Sequence, residues 1–299
     1  MKDLLNGLND KYIEYIQNNP KINDELRKHF IDFLKCQDLK KRERLWADFK
    51  INISKIKQVP ELANPFYIGF GNPNEDILFI GKEKGFSITS YPEHFLEESI
   101  NNILQWQLIT DNINIESFRF DPRNPRGYHK GKLLKRHTWG KYAQILSGLN
   151  EDLTLKELLK ENSSITQNIF NHCFMTEVNH LPSKYSKGKT IIPERKTFLS
   201  DDFFKTFQTV IIGAKPYFDE ERDDINELFD VNLVGKDVLL GRKGKDGRLK
   251  ITCNVYKNDS QFIVYCSQLS GASGWTNEAL ENLITIIKTK SVKHITYEI

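Results

Sequence analysis

Ile77-Leu78-Phe79-Ile80-Gly81-Lys82-Glu83-Lys84-Gly85-Phe86 is the stretch on which the fold turns. Four consecutive apolar residues leave no polar face, and a glycine ends the run. That is the pattern of a strand buried on both faces. Such a strand needs covering helices, and the flanking sequence offers them. Pro92 to about Gln107 reads as a helix, as do Thr138–Leu149 and the short TLKELLKE segment from Thr154. Upstream, NDELRKHFIDFLKC places Leu26, Phe30, Phe33 and Leu34 at helical spacing behind an Asn/Asp start. Downstream, Phe174–Val178, Thr209–Ile212 before Gly213, and Phe262–Tyr265 read as strands. EERDDINELF and the segment from Asn277 to about Lys288 read as helices, and GRKGKDGRLK as a hairpin tip between VGKDVLL and KITCNVYK. Strands alternating with helices predict an α/β fold with a mainly parallel sheet.

Composition narrows the class. A chain of 299 residues with 39% hydrophobic and 28% charged residues has the balance of a globular protein, and its net charge of +3 nominates no partner by itself. The cysteines, Cys36, Cys173, Cys253 and Cys266, form no C-x-x-C pair. Their scatter argues against a zinc ribbon or an iron–sulfur cluster and suits a reducing compartment. The N-terminal MKDLLNGLNDKYIEYIQNN carries charge throughout, and no apolar run reaches the length of a membrane span. The expectation is a soluble, cytoplasmic protein without a membrane partner.

Ligands of an open parallel sheet bind beyond the carboxyl ends of its strands. Three such ends carry small or polar residues. In Gly81-Lys82-Glu83-Lys84-Gly85-Phe86, two glycines flank a carboxylate able to orient water or stabilise positive charge; the plainer reading is that Glu83 caps a turn. In Tyr265-Cys266-Ser267-Gln268-Leu269-Ser270-Gly271-Ala272-Ser273-Gly274-Trp275, hydroxyls precede a helix and suit an anion, or simply cap that helix. In Thr176-Glu177-Val178-Asn179-His180-Leu181-Pro182, a carboxylate and an amide follow a strand, and Asn179 and His180 read equally as turn residues.

Charge is concentrated in two places. Arg119, Arg123, Arg126, Lys130, Lys132, Lys135, Arg136 and Lys141 crowd one stretch, interleaved with Phe120, Tyr128, His129 and Trp139. Arg242, Lys243, Lys245, Arg248 and Lys250 crowd the hairpin tip. Cations among aromatic rings suit phosphate tracking with base stacking, and a solvated surface loop is the alternative.

In order along the chain, these segments resemble the uracil-DNA glycosylase superfamily. GNPNEDILFIGKEKGF is similar to its first motif, TVIIGAK to its third strand with a terminal glycine, and YCSQLSGASGW to its second signature, with Ser267, Leu269 and Ser270 kept. TEVNHLP falls where a pocket Asn usually ends the second strand. The resemblance spans roughly Asn64 to Lys288. It implies a three-layer sandwich around a short, mainly parallel central sheet, with residues 61–299 as the α/β domain and residues 1–60 as a helical extension packed on it. It further implies a DNA partner, no cofactor and no metal. Glu83 takes the water-orienting place, and Tyr265 stands in for the usual His as donor to the departing base. Gly81, Lys82, Gly85, Phe86, Glu177 and Asn179 line the base pocket, with Phe86 as stacking surface. Ser267, Gln268, Ser270, Arg126, Lys130, Lys132 and Arg136 meet DNA.

Departures from the family pattern shape the substrate. Glu177 or Asn179 stands at the usual Asn, Lys84 replaces a Pro, Gly85 replaces a bulky Tyr, and cluster-binding cysteines are missing. A carboxylate accepts from an exocyclic amine, and Gly85 leaves space beside carbon 5 of a pyrimidine. A cytosine-like or 5-substituted base is therefore expected rather than uracil. The competing expectations are a non-catalytic module that binds a modified base or nucleic-acid end, and an enzyme acting on a free nucleoside or nucleotide.

Overall fold

The computed structural model describes residues 1–36, 38–52, 59–85, 88, 90–112, 121–125, 138–159, 169–186, 190–218, 224–243, 249–269 and 273–291. In chain order the helices begin with α1 (Lys2–Leu5), α2 (Leu8–Asn18), α3 (Asp24–Lys35) and α4 (Leu39–Asn52). Strands β1 (Phe70–Gly71) and β2 (Ile77–Gly81) follow, then α5 (Pro92–His94), a π-helix (Phe95–Ile100) and α6 (Asn102–Thr110). Next come α7 (Thr138–Leu149), α8 (Leu155–Leu158), β3 (Phe174–Glu177), α9 (Pro193–Leu199), α10 (Asp202–Lys205) and β4 (Thr209–Lys215). The chain closes with α11 (Asp224–Phe229), β5 (Asn232–Lys243), β6 (Leu249–Lys257), β7 (Phe262–Ser267) and α12 (Asn277–Thr289).

Two compact units result. The first joins Met1–Gly69 with Glu83–Pro122 and Asn179–Phe198; the second joins Phe70–Lys82 with Arg123–Val178 and Leu199–Ile299. The N-terminal helices therefore share a unit with segments far beyond residue 60. Within that unit Asn23 caps α3 by accepting from Leu26 N at 2.9 Å. Phe30, Phe33, Trp46 and Phe49 stack into one aromatic cluster that fills the space between α3 and α4. The stretch before β1 is held by α6: Asn102 Oδ1 accepts from Ile68 N and Gly69 N, and Trp106 Nε1 donates to Gly69 O at 2.9 Å. Buried backbone groups that lie outside regular structure are satisfied this way.

The second unit carries a seven-stranded sheet in the order β1-β3-β2-β4-β7-β6-β5. Strands β3, β2, β4 and β7 run parallel, and Leu78, Phe79, Ile80, Val210, Ile211, Ile212, Ile263 and Val264 are fully buried in them. Their unbroken apolar runs follow from cover on both faces. The expected sheet, short and mainly parallel, is corrected here. β1 pairs antiparallel with β3, and the β5–β6 hairpin joins β7 antiparallel, so the sheet is long and mixed. A hairpin announces itself locally by its turn, whereas the strand it will pair with is a tertiary choice. α12 packs on β5 and α7, and Asn282 Nδ2 donates to Leu240 O at 2.7 Å.

The hairpin is irregular. Its register shifts between Leu233 and Gly235, between Gly235 and Val238, and between Leu239 and Gly241, and Asp237 takes a φ of +47°. At the other sheet edge Gly71 has φ +101°, and a Cβ there would run into the carbonyl oxygen of Cys173. Gly71→Ala is expected to lower unfolding free energy by at least ~2 kcal/mol, since both the dihedral and the close approach oppose a side chain. Urea denaturation of the variant beside the parent protein checks this.

Candidate functional site

The parallel core has a reversal point. From β2 the chain crosses to β3 on one side, while from β4 it crosses to β5 at the far edge on the other and returns through β6 to β7. The crevice beyond the carboxyl ends of β2 and β4 is where open α/β sheets hold ligands. Gly81 ends β2 and pairs in register with Glu177, the last residue of β3; Val178 N donates to Gly81 O at 2.8 Å. A side chain on Gly81 would begin 3.5 Å from the Tyr142 hydroxyl and 3.6 Å from Glu177 Cγ. Tyr142 reaches this point from α7 because its ring stacks on Phe79 of β2, with centroids 4.0 Å apart. Burial, and secondarily the Glu177 carboxylate, push the Tyr142 phenol far above its ordinary range, so it remains a protonated donor. Glu177 and a neutral Tyr142 hydroxyl thus both flank the end of β2.

On the neighbouring strands, Ile212 pairs with Tyr265 and Lys215 with Ser267. Gly213 does not end β4 as expected from the family pattern. It lies within the strand, where the register shifts, with the Leu269 backbone against it. Ser267 and Gln268 are half-buried, and the Gln268 carbonyl accepts from Trp275 Nε1 at 3.1 Å, which closes the loop on itself. Tyr265 is not placed for the expected role. It is fully buried, and its hydroxyl accepts from Phe218 N at 3.2 Å and donates to Phe218 O at 3.3 Å. Within FIVYC no position faces solvent, so the phenol is directed to backbone groups rather than to a ligand.

The remaining expected residues are distributed as follows. Lys82 is half-buried in the second unit, directly after β2. Among first-unit residues Glu83 is half-buried, and Gly85 is exposed with open space where a side chain would start. Asn179 Oδ1 accepts from Leu181 N at 2.9 Å, the turn role that its residue type suggests. Phe86, Ser270, Arg126, Lys130, Lys132 and Arg136 lie outside the described residues, as do Arg119, Phe120, Tyr128, His129, Lys135, Lys245 and Arg248. Of the basic stretch, Lys141 is buried in α7, and Trp139 is half-buried and packs edge-on against Phe170 and Phe70. At the hairpin Arg242 and Lys250 are exposed and directly opposite each other across the ladder.

Sequence reasoning also missed a buried cationic cluster in the first unit. Lys84 Nζ stands 3.3 Å from the Tyr67 ring centroid, and Arg195, fully buried, donates to Pro65 O at 3.1 Å and Tyr67 O at 2.5 Å. His180 is lowered to about 3 by burial first, then by Arg195 and Lys84, so it is neutral. No local pattern connects residues 84, 180 and 195. Tyr142 is equally hidden, since its spacing in TWGKYAQIL marks only a helix face.

No family model, curated sequence or solved structure matches this chain. The resemblance to the glycosylase superfamily therefore rests on the strand-end segments alone. Among the described residues no helix is long and apolar enough to cross a membrane.

Two outcomes are expected. The folded-state value for His180 lies below the ordinary 6.5, so its contribution is intact above that pH and is lost as the medium acidifies towards 3. Stability should fall by roughly 1.4 kcal/mol per pH unit from this residue. His180→Gln should flatten that slope in urea titrations at a series of acidic pH values. Tyr265→Phe should lower stability by about 1–3 kcal/mol by stranding the Phe218 backbone groups, read in the same assay at neutral pH.

Proposed function

We propose that this chain engages nucleic acid and hydrolyses the N-glycosidic bond of an extruded, cytosine-like or 5-substituted pyrimidine. The observation that carries the reading is the convergence of Glu177 and the Tyr142 hydroxyl on Gly81, at the reversal point of the parallel strands. Bond cleavage builds positive charge on the sugar and negative charge on the departing base. A carboxylate serves the first demand, a neutral hydroxyl the second. In this scheme Glu177 is the carboxylate, and Tyr142 takes the donor role that the family pattern would give to Tyr265. Exposed Arg242 and Lys250, like charges directly opposed, favour a phosphate partner that relieves their repulsion.

The test uses duplexes and single strands carrying uracil, cytosine or 5-substituted cytosines, followed by alkali to cut abasic sites. Strand breaks are expected with the cytosine-like bases, reduced about 10²–10⁴-fold by Glu177→Gln and at least ~10-fold by Tyr142→Phe. Release of uracil alone overturns the base preference. A second reading has its own support in the engagement of the Tyr265 hydroxyl by the Phe218 backbone. It is a binding module without turnover, and salt-sensitive binding with no release from any substrate selects it.

A further inference from the structure

Cys173, Cys253 and Cys266 are buried, whereas Cys36 is half-buried and can be reached from solvent. It follows α3 and lies against the first turn of α4. Its thiol donates to the Asp38 carbonyl oxygen at 3.4 Å, the same oxygen that accepts from Arg42 N at 2.8 Å. Phe33 ties these two residues together a second time. Its carbonyl oxygen accepts from Cys36 N at 3.2 Å, and its ring carries the Arg42 guanidinium, with Cζ 4.7 Å from the centroid. Arg42 is only 9% exposed, and its Nε has no hydrogen-bond partner. Burial lowers it to about 10, which leaves it charged at neutral pH; the charge that counters this lowering is that of Cys36, not a carboxylate. Asp38, the nearest acid in the chain, is turned to the backbone, its Oδ1 accepting from Lys41 N at 2.9 Å. One turn further along α4, Trp46 Nε1 is a second enclosed donor without a partner, and its ring stacks on Phe33. Buried cations are ordinarily paired, and a guanidinium fork fits a carboxylate. Among the described residues none supplies that carboxylate to Arg42.

We propose that Cys36 is a thiolation site for small disulfides that carry carboxylates, with Arg42 receiving a carboxylate of the incoming molecule. The step is thiol–disulfide exchange. The Cys36 thiol gives its proton to solvent, and its sulfur attacks one sulfur of the reagent. The S–S bond of the reagent breaks as the new one forms, and the other half leaves as a thiolate that takes up a proton. Cys36 is oxidised and the released half is reduced, so the disulfide itself is the oxidant and nothing else is consumed. An excess of free thiol reverses the step. Lys35, Lys40 and Lys41 are exposed and attract anions to this surface through solvent, where salt screens them, whereas Arg42 acts at contact. The site is independent of the sheet crevice and of the reaction proposed there.

The experiment treats the full reduced chain with glutathione disulfide, which bears carboxylates, or with cystamine, which bears ammonium groups. Intact and peptide mass spectrometry follow the adducts, and each rate is divided by that of a model cysteine peptide with the same reagent. One glutathionyl adduct per chain is expected, at Cys36, with a normalised preference for glutathione disulfide of at least ~10-fold over cystamine. Arg42→Gln should remove most of that preference, Arg42→Lys should keep part of it, and Lys40→Gln with Lys41→Gln should leave most of it in place. Equal normalised rates for the two reagents in the parent protein overturn the site. So does adduct formation at Cys173, Cys253 or Cys266 ahead of Cys36, or a preference that survives in Arg42→Gln or vanishes in the double lysine variant. If an Arg42 variant does not fold, the parent protein and the lysine variant decide between these outcomes.

Discussion

Strand β2 is the member on which the rest of the second unit depends. It is hydrogen-bonded in parallel on both sides, to β3 and to β4, and Leu78, Phe79 and Ile80 are fully enclosed. A strand so placed has no edge and no wet face, so nearly every neighbour is defined by contact with it. Phe79 positions the Tyr142 ring, and Gly81 sets the level at which Glu177 ends its own strand. The chemistry proposed for the crevice inherits its geometry from these five residues.

The two units keep one polar side chain each neutral by the same means, with opposite signs of neighbouring charge. In the second unit, Tyr142 keeps its proton because burial and a nearby carboxylate both oppose ionisation. In the first unit, His180 stays without a proton because burial and two cations oppose the charged form. Neutral side chains among charged neighbours are thus maintained in both, one as a donor and the other as an imidazole with a lone pair.

Much of the α/β pattern was legible because it is local. The run Ile77–Ile80, the cap at Asn23 and the helix Thr138–Leu149 all follow from spacing and end signals. The direction of strand pairing was not, because β6 and β5 meet the sheet through contacts remote in sequence. The site was legible only in part. Gly81 and Glu177 lie at strand ends as their segments suggest, yet Tyr265 and Gly213 are internal to strands that run on past the expected stops. A phenol in an apolar run looks the same whether it seeks a ligand or a carbonyl. Tyr142, Lys84, His180 and Arg195 carry no common motif, and only folding brings each to its partners.

The kinked hairpin has a consequence for how copies of this chain behave in solution. Among the described strands β5 is last in the sheet, and its outer side exposes Val234, 51% accessible, beside Leu233. A straight apolar border would invite another chain to extend the ladder and seed aggregates. Three register shifts, a left-handed Asp237 and the charge of Lys236 break up that border, so an incoming strand finds no continuous row of donors and acceptors. The irregularity therefore takes away the straight edge that ladder extension between molecules needs, at the expense of regular pairing within one.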